Sequence, residues 1–375
     1  MISVRPPQAG KHEKGCRPLK YPVLLSEPIS PIGIGILESA ARVLIGPSPS
    51  DSDLMPLIVS ADALLIRSTS LSRSVMEAGK TLKVIGRHGI GIDNIDVAAA
   101  TSLGIQVVNA PGANTNAVAE HALRAIMHCA KNFNSAEKAP REGRFAVSAS
   151  LPGLVQKMGY STLELKAKTL GLVGFGRIAR RLAELAHSLQ MDIKAYDPLV
   201  DDGVFQAHAV RRMRTLEETI RETDFVLLHV SHMKETHHLV GQTQLALMKK
   251  EAFLINTSRG GIVDEAALFR ALKEKRIAGA ALDVFEKEPP PADLPFFELE
   301  NVMAAPHMAA MTDPALVNMA VDVSRGILEA GRARSPGFWP TPRCGIEEGR
   351  EAKGRSLFLC LQPLAGSITV SVERK

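Results

Sequence analysis

The stretch Thr169-Leu-Gly-Leu-Val-Gly-Phe-Gly-Arg-Ile-Ala179 decides the fold. Its first five residues are small, apolar or β-branched and predict a buried strand, and an amphipathic helical run begins at Arg177. Gly174 and Gly176 separate the two in the GxGxxG/A spacing, which lets a chain turn tightly from strand into helix. Such a turn presents backbone N–H groups to a diphosphate. We therefore expect a doubly wound α/β unit that binds a dinucleotide.

An acidic residue follows at the distance that this motif requires. The next predicted strand, 192–197, ends in Asp197, 23 positions after Gly174, where a carboxylate would accept from the ribose diol of NAD and repel the extra phosphate of NADP. Pro198 and Leu199 supply no cation for that phosphate. The sequence therefore predicts NAD. The alternative is a glycine-rich turn without a ligand, which the order of strand, glycines, helix and acid disfavours.

Strand-like and helical runs alternate on both sides of this motif, as expected of parallel sheets built from right-handed crossovers. In the first half the predicted strands are 23–25, 63–67, 82–86 and 105–109, and the helices are 31–40, 72–80 and 96–103. A helix at about 115–129 leads to the second series, with helix 177–190 and strands 169–174, 192–197, 225–230, 252–257, 280–284 and 302–305. The fold class is therefore α/β with two doubly wound parallel-sheet lobes.

Length supports two domains, because single cores seldom grow past about 250 to 300 residues and this chain has 375. The triplet Ala110-Pro111-Gly112 is a plausible hinge, and a last helix at about 313–330 returns to the first lobe. We expect an N-terminal extension at 1–20, a substrate domain at 21–112 plus 312–331, a dinucleotide-binding domain at 113–311, and a divergent tail at 332–375.

The formal charge of +5 is concentrated at the ends of the chain. Residues 1–20 and 331–375 together carry +8, which leaves −3 for 21–330 and argues against a nucleic-acid surface.

No apolar run reaches the roughly 18 residues of a membrane span, and the start has no secretory signal pattern. The four cysteines stand apart without a CxxC pair, so neither disulfides nor a metal site is expected. These features predict a cytoplasmic protein.

Three polar residues follow predicted strands of the second lobe: Arg259, Asp283 and His307. Ligands of open parallel sheets bind beyond the carboxyl ends of strands, so these side chains are expected to converge. A guanidinium suits a carboxylate and a polarised carbonyl oxygen, and an imidazole suits proton transfer near neutral pH. Glu288, before a double proline, is placed to pair with His307. Taken singly, such a histidine is more often structural, and the joint pattern carries the prediction.

At this point the sequence resembles the D-2-hydroxyacid dehydrogenases, the family of phosphoglycerate, hydroxypyruvate and glyoxylate reducing enzymes. The resemblance covers about 21–331, and the motifs that carry it are Arg87-His-Gly-Ile-Gly-Ile-Asp-Asn-Ile-Asp96, Asn109-Ala-Pro-Gly112, Ala119-Glu-His121, Gly174-Phe-Gly-Arg-Ile178, Asn256-Thr-Ser-Arg-Gly260, Asp283-Val-Phe-Glu-Lys-Glu-Pro289 and Pro306-His307.

The resemblance implies a flavodoxin-like substrate domain, a Rossmann NAD-binding domain, and a homodimer formed through the latter. It implies that Arg259, Glu288 and His307 are the catalytic triad. The implied cofactor contacts are Gly174, Gly176, Arg177, Ile178, Asp197, His229, Thr257, Ser258 and Asp283. The implied substrate contacts are Arg67, Ser68 and the backbone around His88, Gly89 and Ile90, where successive amides would form an anion nest.

Two readings of function remain at this point. The first is an NAD-dependent oxidoreductase that interconverts a small D-2-hydroxy acid and its 2-keto acid, with His307 as general acid and base. Basic residues near the first-lobe loop, Arg67, Arg87 and His88, favour hydroxypyruvate or 3-phosphoglycerate over lactate. The second is a non-catalytic NAD(H)-sensing protein of the same fold, similar to transcriptional corepressors. Formate dehydrogenase is disfavoured, because Glu288 stands where that enzyme has Gln.

Overall fold

A computed structural model describes residues 21–143 and 162–334. Within these residues the chain divides into two compact units. The first contains 21–88, 94–109 and 320–334, and the second contains 89–93 together with the described part of 110–319. The predicted extension at 1–20 lies outside the described residues, as does the predicted tail apart from 332–334.

The first unit is built on a parallel five-stranded sheet with the order β2-β1-β3-β4-β5, the flavodoxin-like arrangement. Every residue of the central strand β3 is buried, which its uninterrupted apolar sequence ALLI predicts. The strands are β1 (Pro22–Leu25), β2 (Arg42–Ile45), β3 (Ala63–Ile66), β4 (Val84–Arg87) and β5 (Gln106–Val108).

Short helices connect these strands, and polar side chains fix where three of them begin. Ser50, Ser72 and Asp96 each accept the backbone N–H of the residue three positions later, which satisfies a donor that the first helical turn leaves unpaired. The helices are α1 (Pro31–Glu38), α2 (Asp51–Ile58), α3 (Arg73–Ala78) and α4 (Val97–Ser102).

The second unit is built on a parallel seven-stranded sheet with the order β12-β11-β10-β9-β6-β7-β8. The chain reverses its direction of travel across the sheet between β6 and β9, which is the switch point of a Rossmann fold. The strands are β6 (Thr169–Val173), β7 (Asp192–Tyr196), β8 (Arg211–Arg212), β9 (Phe225–Leu228), β10 (Phe253–Asn256), β11 (Gly279–Leu282) and β12 (Val302–Ala304).

Helices cover both faces of this sheet, because alternate residues of β9 enter different cores. Phe225 and Leu227 pack with α5 and α7, while Val226 and Leu228 pack with α10 and α11. The helices are α5 (Thr115–Lys131), α6 (Phe133–Arg141), α7 (Arg177–Ser188), α8 (Asp202–Ala207), α9 (Leu216–Glu222), α10 (Gln242–Leu247), α11 (Glu265–Lys273) and α12 (Asp313–Arg334), whose last residues belong to the first unit.

The two parallel-sheet lobes expected from the sequence are confirmed. The sequence analysis missed β2 and α2 in the first unit, and β8, α6, α8, α9, α10 and α11 in the second. No helix in the described part of the chain is both long and apolar enough for a bilayer crossing.

Candidate active site

The glycine turn after β6 has the geometry that its sequence predicts. Gly174 has φ +89°, a left-handed conformation, and a Cβ there would lie 2.6 Å from the carbonyl oxygen of His229. Gly176 is the N-cap of α7, and a Cβ on it would meet no atom within 4 Å. The backbone therefore passes close to the neighbouring strand on one side and leaves open space at the helix N-terminus on the other. That space suits a diphosphate.

Asp197 lies just beyond the end of β7 and is tied to this turn. Its Oδ2 accepts the backbone N–H of Phe175 at 2.8 Å, and its Oδ1 accepts that of Leu199 at 2.9 Å. The arginines of β8 are paired elsewhere, Arg211 with Glu222 and Arg212 with Asp202. The carboxylate is therefore held in place beside the glycine turn.

Unpartnered polar atoms mark the carboxyl ends of the next two strands. The Nε2 atom of His229, after β9, and the Oγ1 atom of Thr257, after β10, are buried without a hydrogen-bond partner within the described chain. Burial lowers the pKa of His229 to about 3, so its ring is neutral at working pH. A buried polar atom without a hydrogen bond costs free energy, unless a bound ligand supplies the missing partner. Together with the glycine turn, they fit a dinucleotide that carries amide and hydroxyl groups.

Other predicted cofactor residues lie at the same edge. Arg177 and Ile178 are the first two residues of α7. The N–H and Oγ of Ser258 both donate to Oδ1 of Asn256, at 3.1 and 2.8 Å. Asn256 in turn donates to the carbonyl oxygen of Arg259 at 2.8 Å, so a single amide fixes the loop after β10.

The predicted triad residues follow three adjacent parallel strands, β10, β11 and β12. The Nδ1 atom of His307 lies 2.7 Å from Oε2 of Glu288, and the other oxygen of Glu288 accepts the N–H of Phe285 at 3.1 Å. Burial raises the pKa of Glu288, but the hydrogen bond and charge of His307, with smaller contributions from the Phe285 N–H and Arg259, lower it below the ordinary value. Glu288 is therefore an anion that faces the ring of His307.

Asp283 supports the backbone that carries His307. The sequence placed Asp283 against the cofactor, which remains a prediction, while the structure gives its carboxylate two backbone partners, the N–H groups of Met308 and Ala309, both at 2.9 Å. Its own carbonyl oxygen accepts the N–H of His307 at 2.7 Å. His307 has φ +51°, an uncommon conformation for a non-glycine residue. These three bonds hold it there.

Sequence reasoning missed two neighbours of the site. The Nε2 atom of His121 lies 3.6 Å from Oδ1 of Asp283 in a buried environment, and burial lowers the pKa of His121, so the ring is neutral. Asp93 contacts Arg259 through both carboxylate oxygens. Both residues stand in motifs of the resemblance, which was the available signal, but nothing in the spacing indicated these partners.

The predicted substrate contacts are divided between the two units. In the first unit, the N–H and Oγ of Ser68 donate to the carboxylate of Glu27 at 3.1 and 3.0 Å, and Arg67 donates to the carbonyl oxygen of Pro28. The His88 N–H donates to the carbonyl of Ile66, so this amide is already engaged.

Gly89 and Ile90 are grouped with the second unit, and Gly89 has φ +147°. Their role as an anion nest stays a prediction. Among residues 21–143 and 162–334 no three metal-ligating side chains cluster.

Comparison with known proteins agrees with this geometry. Residues 123–309 match the family model described as D-isomer specific 2-hydroxyacid dehydrogenase, NAD binding domain. The chain is 34% identical over 314 residues to a hydroxypyruvate reductase of Thermotoga maritima, an alignment that covers 83% of this chain and 98% of the relative. It is 40% identical over 294 residues to a D-3-phosphoglycerate dehydrogenase of Methanocaldococcus jannaschii, covering 78% of this chain and 54% of the relative.

Among solved structures, an NADPH-dependent glyoxylate/hydroxypyruvate reductase of Sinorhizobium meliloti in complex with citrate superposes with a TM-score of 0.74 at 26% identity, covering 87% of this chain and 98% of that chain. The chain belongs to the D-isomer specific 2-hydroxyacid dehydrogenase family. A nicotinamide dinucleotide is the cofactor class of its second unit. The chain spans little more than half the length of the phosphoglycerate dehydrogenases that it matches.

Proposed function

We propose that this protein is an NAD-dependent dehydrogenase that interconverts a small D-2-hydroxy acid and its 2-keto acid. The observation that carries the proposal is the 2.7 Å contact between Glu288 and His307, one strand over from Arg259 and at the same sheet edge as the Gly174 turn. Proton transfer to or from the C2 oxygen requires an imidazole in a fixed position. Binding of the substrate carboxylate requires a cation in a fixed position, such as the Arg259 guanidinium.

Each residue of the triad has a separate task in this proposal. Arg259 binds the substrate carboxylate and polarises the C2 oxygen, because a guanidinium stays charged and offers a planar fork of donors. Glu288 holds Nδ1 of His307, which directs Nε2 toward the substrate and stabilises the protonated ring. His307 delivers a proton to the C2 oxygen during reduction and removes it during oxidation. The nicotinamide, when bound, supplies or accepts the hydride at C2.

The preference for NAD over NADP rests on Asp197. Its carboxylate is fixed by two backbone N–H groups beside the glycine turn. Each of its oxygens can accept one more hydrogen bond, for example from a ribose hydroxyl. A second phosphate at this place would meet a negative charge. The arginines of β8, Arg211 and Arg212, are paired with Glu222 and Asp202, which reduces the positive charge that they could offer to such a phosphate.

For the substrate we favour hydroxypyruvate or 3-phosphoglycerate over lactate, because Arg67, Arg87 and His88 supply positive or polar groups near the predicted carboxylate nest. The names of the relatives point the same way, since they include hydroxypyruvate reductase and D-3-phosphoglycerate dehydrogenase. A cytoplasmic homodimer formed through the NAD-binding domain is part of the same proposal and rests on family resemblance.

A screen of NADH and NADPH oxidation tests the proposal. Glyoxylate, hydroxypyruvate, pyruvate, 2-ketoglutarate and phosphohydroxypyruvate are offered in turn, and the product is resolved on a chiral column. We expect the highest kcat/KM with hydroxypyruvate or phosphohydroxypyruvate, a D product, and a preference for NADH. Tight NADH binding with no turnover of any acid would instead identify a dinucleotide-sensing protein. A preference for NADPH would overturn the role given to Asp197.

A further inference from the structure

Arg259 is held from two sides by groups of its own unit. Its Nε donates to Oδ1 and Oδ2 of Asp93, both at 3.0 Å, and its Nη1 donates to the carbonyl oxygen of Ser258 at 2.7 Å. Asp93 is 166 positions away in sequence but belongs to the short segment 89–93 that is grouped with the second unit. The guanidinium is therefore held at its inner nitrogen, Nε, and at one terminal nitrogen, Nη1.

Gly91 provides the space that the guanidinium occupies. A Cβ on Gly91 would lie 1.8 Å from Nη2 of Arg259 and 2.7 Å from Oδ1 of Asp93. Gly91 is not among the residues with positive φ, so its backbone would accept an alanine without strain. Glycine is needed here because the arginine head lies directly against its α-carbon.

We infer that Asp93 and Gly91 form a seat that positions Arg259 for the substrate carboxylate, an inference that rests on the proposed function. A guanidinium fixed at Nε by one carboxylate and at Nη1 by one carbonyl still has an N–H on each terminal nitrogen, and these two can bind a second carboxylate together. Without the seat, a long flexible side chain must be ordered each time a substrate binds.

The seat acts through geometry more than through charge. The side chains of Arg259 and Asp93 are 25% and 37% exposed, and ion pairs in such surroundings contribute little net attraction. An amide at position 93 retains an oxygen that accepts from Nε, whereas a methyl group does not. The conservative variant Asp93→Asn is therefore expected to behave much like the wild type, and Asp93→Ala is not.

The opposite reading is that Asp93 competes with the substrate for Arg259. A competing carboxylate would lower the affinity of the site for anions, so its removal would improve binding. The two readings predict changes of opposite sign in the same measurement.

Binding of oxamate, an unreactive analogue of a 2-keto acid, to the enzyme saturated with NADH separates these readings without requiring turnover. The dissociation constant is obtained by titrating NADH fluorescence in the full chain. We expect Asp93→Ala and Gly91→Ala each to weaken oxamate binding about tenfold, and Asp93→Asn to remain within about threefold of the wild type. NADH affinity and thermal midpoint are expected to stay unchanged.

Gly35→Ala is the matched control for Gly91→Ala, because a Cβ on this exposed helical glycine meets no atom within 4 Å. It should leave oxamate binding unchanged. Tighter binding by Asp93→Ala, equal binding by all variants, or no oxamate binding by the wild type would overturn the inference. In active enzyme, KM should rise more than kcat falls in the two disruptive variants. A wild type that binds oxamate as expected but turns over no keto acid contradicts the proposed function and leaves the seat intact.

Discussion

The ring of His307 depends on two carboxylates that act at different atoms. Glu288 faces its Nδ1 at 2.7 Å, and Asp283 holds the backbone on either side of its α-carbon in a left-handed conformation. Non-glycine residues in this conformation cluster at functional sites, where the surrounding structure maintains them. One carboxylate therefore orients the imidazole, and the other fixes the backbone that carries it.

The rate of reduction tests the first of these roles. Glu288 remains ionised because the hydrogen bond and charge of His307 overcome the effect of burial and lower the pKa of Glu288. The carboxylate holds Nδ1 of His307 through a charge-assisted hydrogen bond, which the amide in Glu288→Gln does not provide. We therefore expect Glu288→Gln to lower kcat/KM for reduction by roughly tenfold. Because the pKa of Glu288 is lowered, the difference from the wild type should persist on acidification to about pH 5.

Glu286→Gln is the control for this measurement. Glu286 pairs with His238 at 2.8 Å rather than with the triad, so this variant should reduce the keto acid as fast as the wild type does. A wild-type kcat/KM in Glu288→Gln would show that the carboxylate does not support the acid.

The convergence of the triad was predictable, because polar residues that directly follow strands of one parallel sheet lie at the same edge of that sheet. Their supporting contacts were not. Asp93 and Arg259 are 166 positions apart, and no spacing rule pairs residues so distant in sequence. Asp283 was predicted at the cofactor from its place at the end of a strand and from the resemblance, and neither reveals which backbone N–H groups its carboxylate accepts.

At the scale of elements, small residues decide how α12 packs in the first unit. A Cβ on Gly86, in β4, would lie 2.5 Å from Cδ1 of Ile327 and 2.8 Å from Cγ2 of Val323. A Cβ on Gly33, in α1, would lie 2.7 Å from Cβ of Ala320. The helix lies against both glycines, so its approach to the sheet requires that they have no side chain.

Gly86→Ala should therefore destabilise the first unit. The added methyl group enters a core where Ile327 and Val323 are fully buried, and overpacking of this kind costs about 1 to 3 kcal/mol in the free energy of unfolding. Urea denaturation followed by circular dichroism measures the change. Gly35→Ala, at an exposed position of α1, is expected to be neutral or to stabilise by up to about 1 kcal/mol. Equal midpoints for Gly86→Ala and the wild type would contradict the close packing.

The elements that sequence reasoning missed share a physical cause. The edge strand β2 is only partly buried, with the burial pattern exposed, intermediate, intermediate, exposed, and its apolar run, residues 43–45, is only three residues long. Helix α2 follows a serine-rich segment and contains Pro56, both of which favour a loop interpretation. In each case tertiary packing overrides a weak local preference, whereas β3 and β6 carry strong apolar patterns and were predicted.

At the scale of the whole molecule, strand order explains why distant motifs serve one site. Because all seven strands of the second sheet are parallel, the glycine turn after β6, Asp197 after β7, His229 after β9 and the triad after β10 to β12 lie at one edge. The sequence predicted this edge from the alternation of strands and helices. Family membership is consistent with it, since the hydroxypyruvate reductase of Thermotoga maritima matches over 98% of its own length.

The most direct test of the central claim is turnover by His307→Ala with NADH and the best keto acid from the screen, measured beside NADH affinity. Loss of a general acid lowers kcat by about 100- to 10,000-fold. We predict a loss in this range, with NADH affinity and thermal midpoint equal to those of the wild type. Turnover by His307→Ala at the wild-type rate would contradict the account.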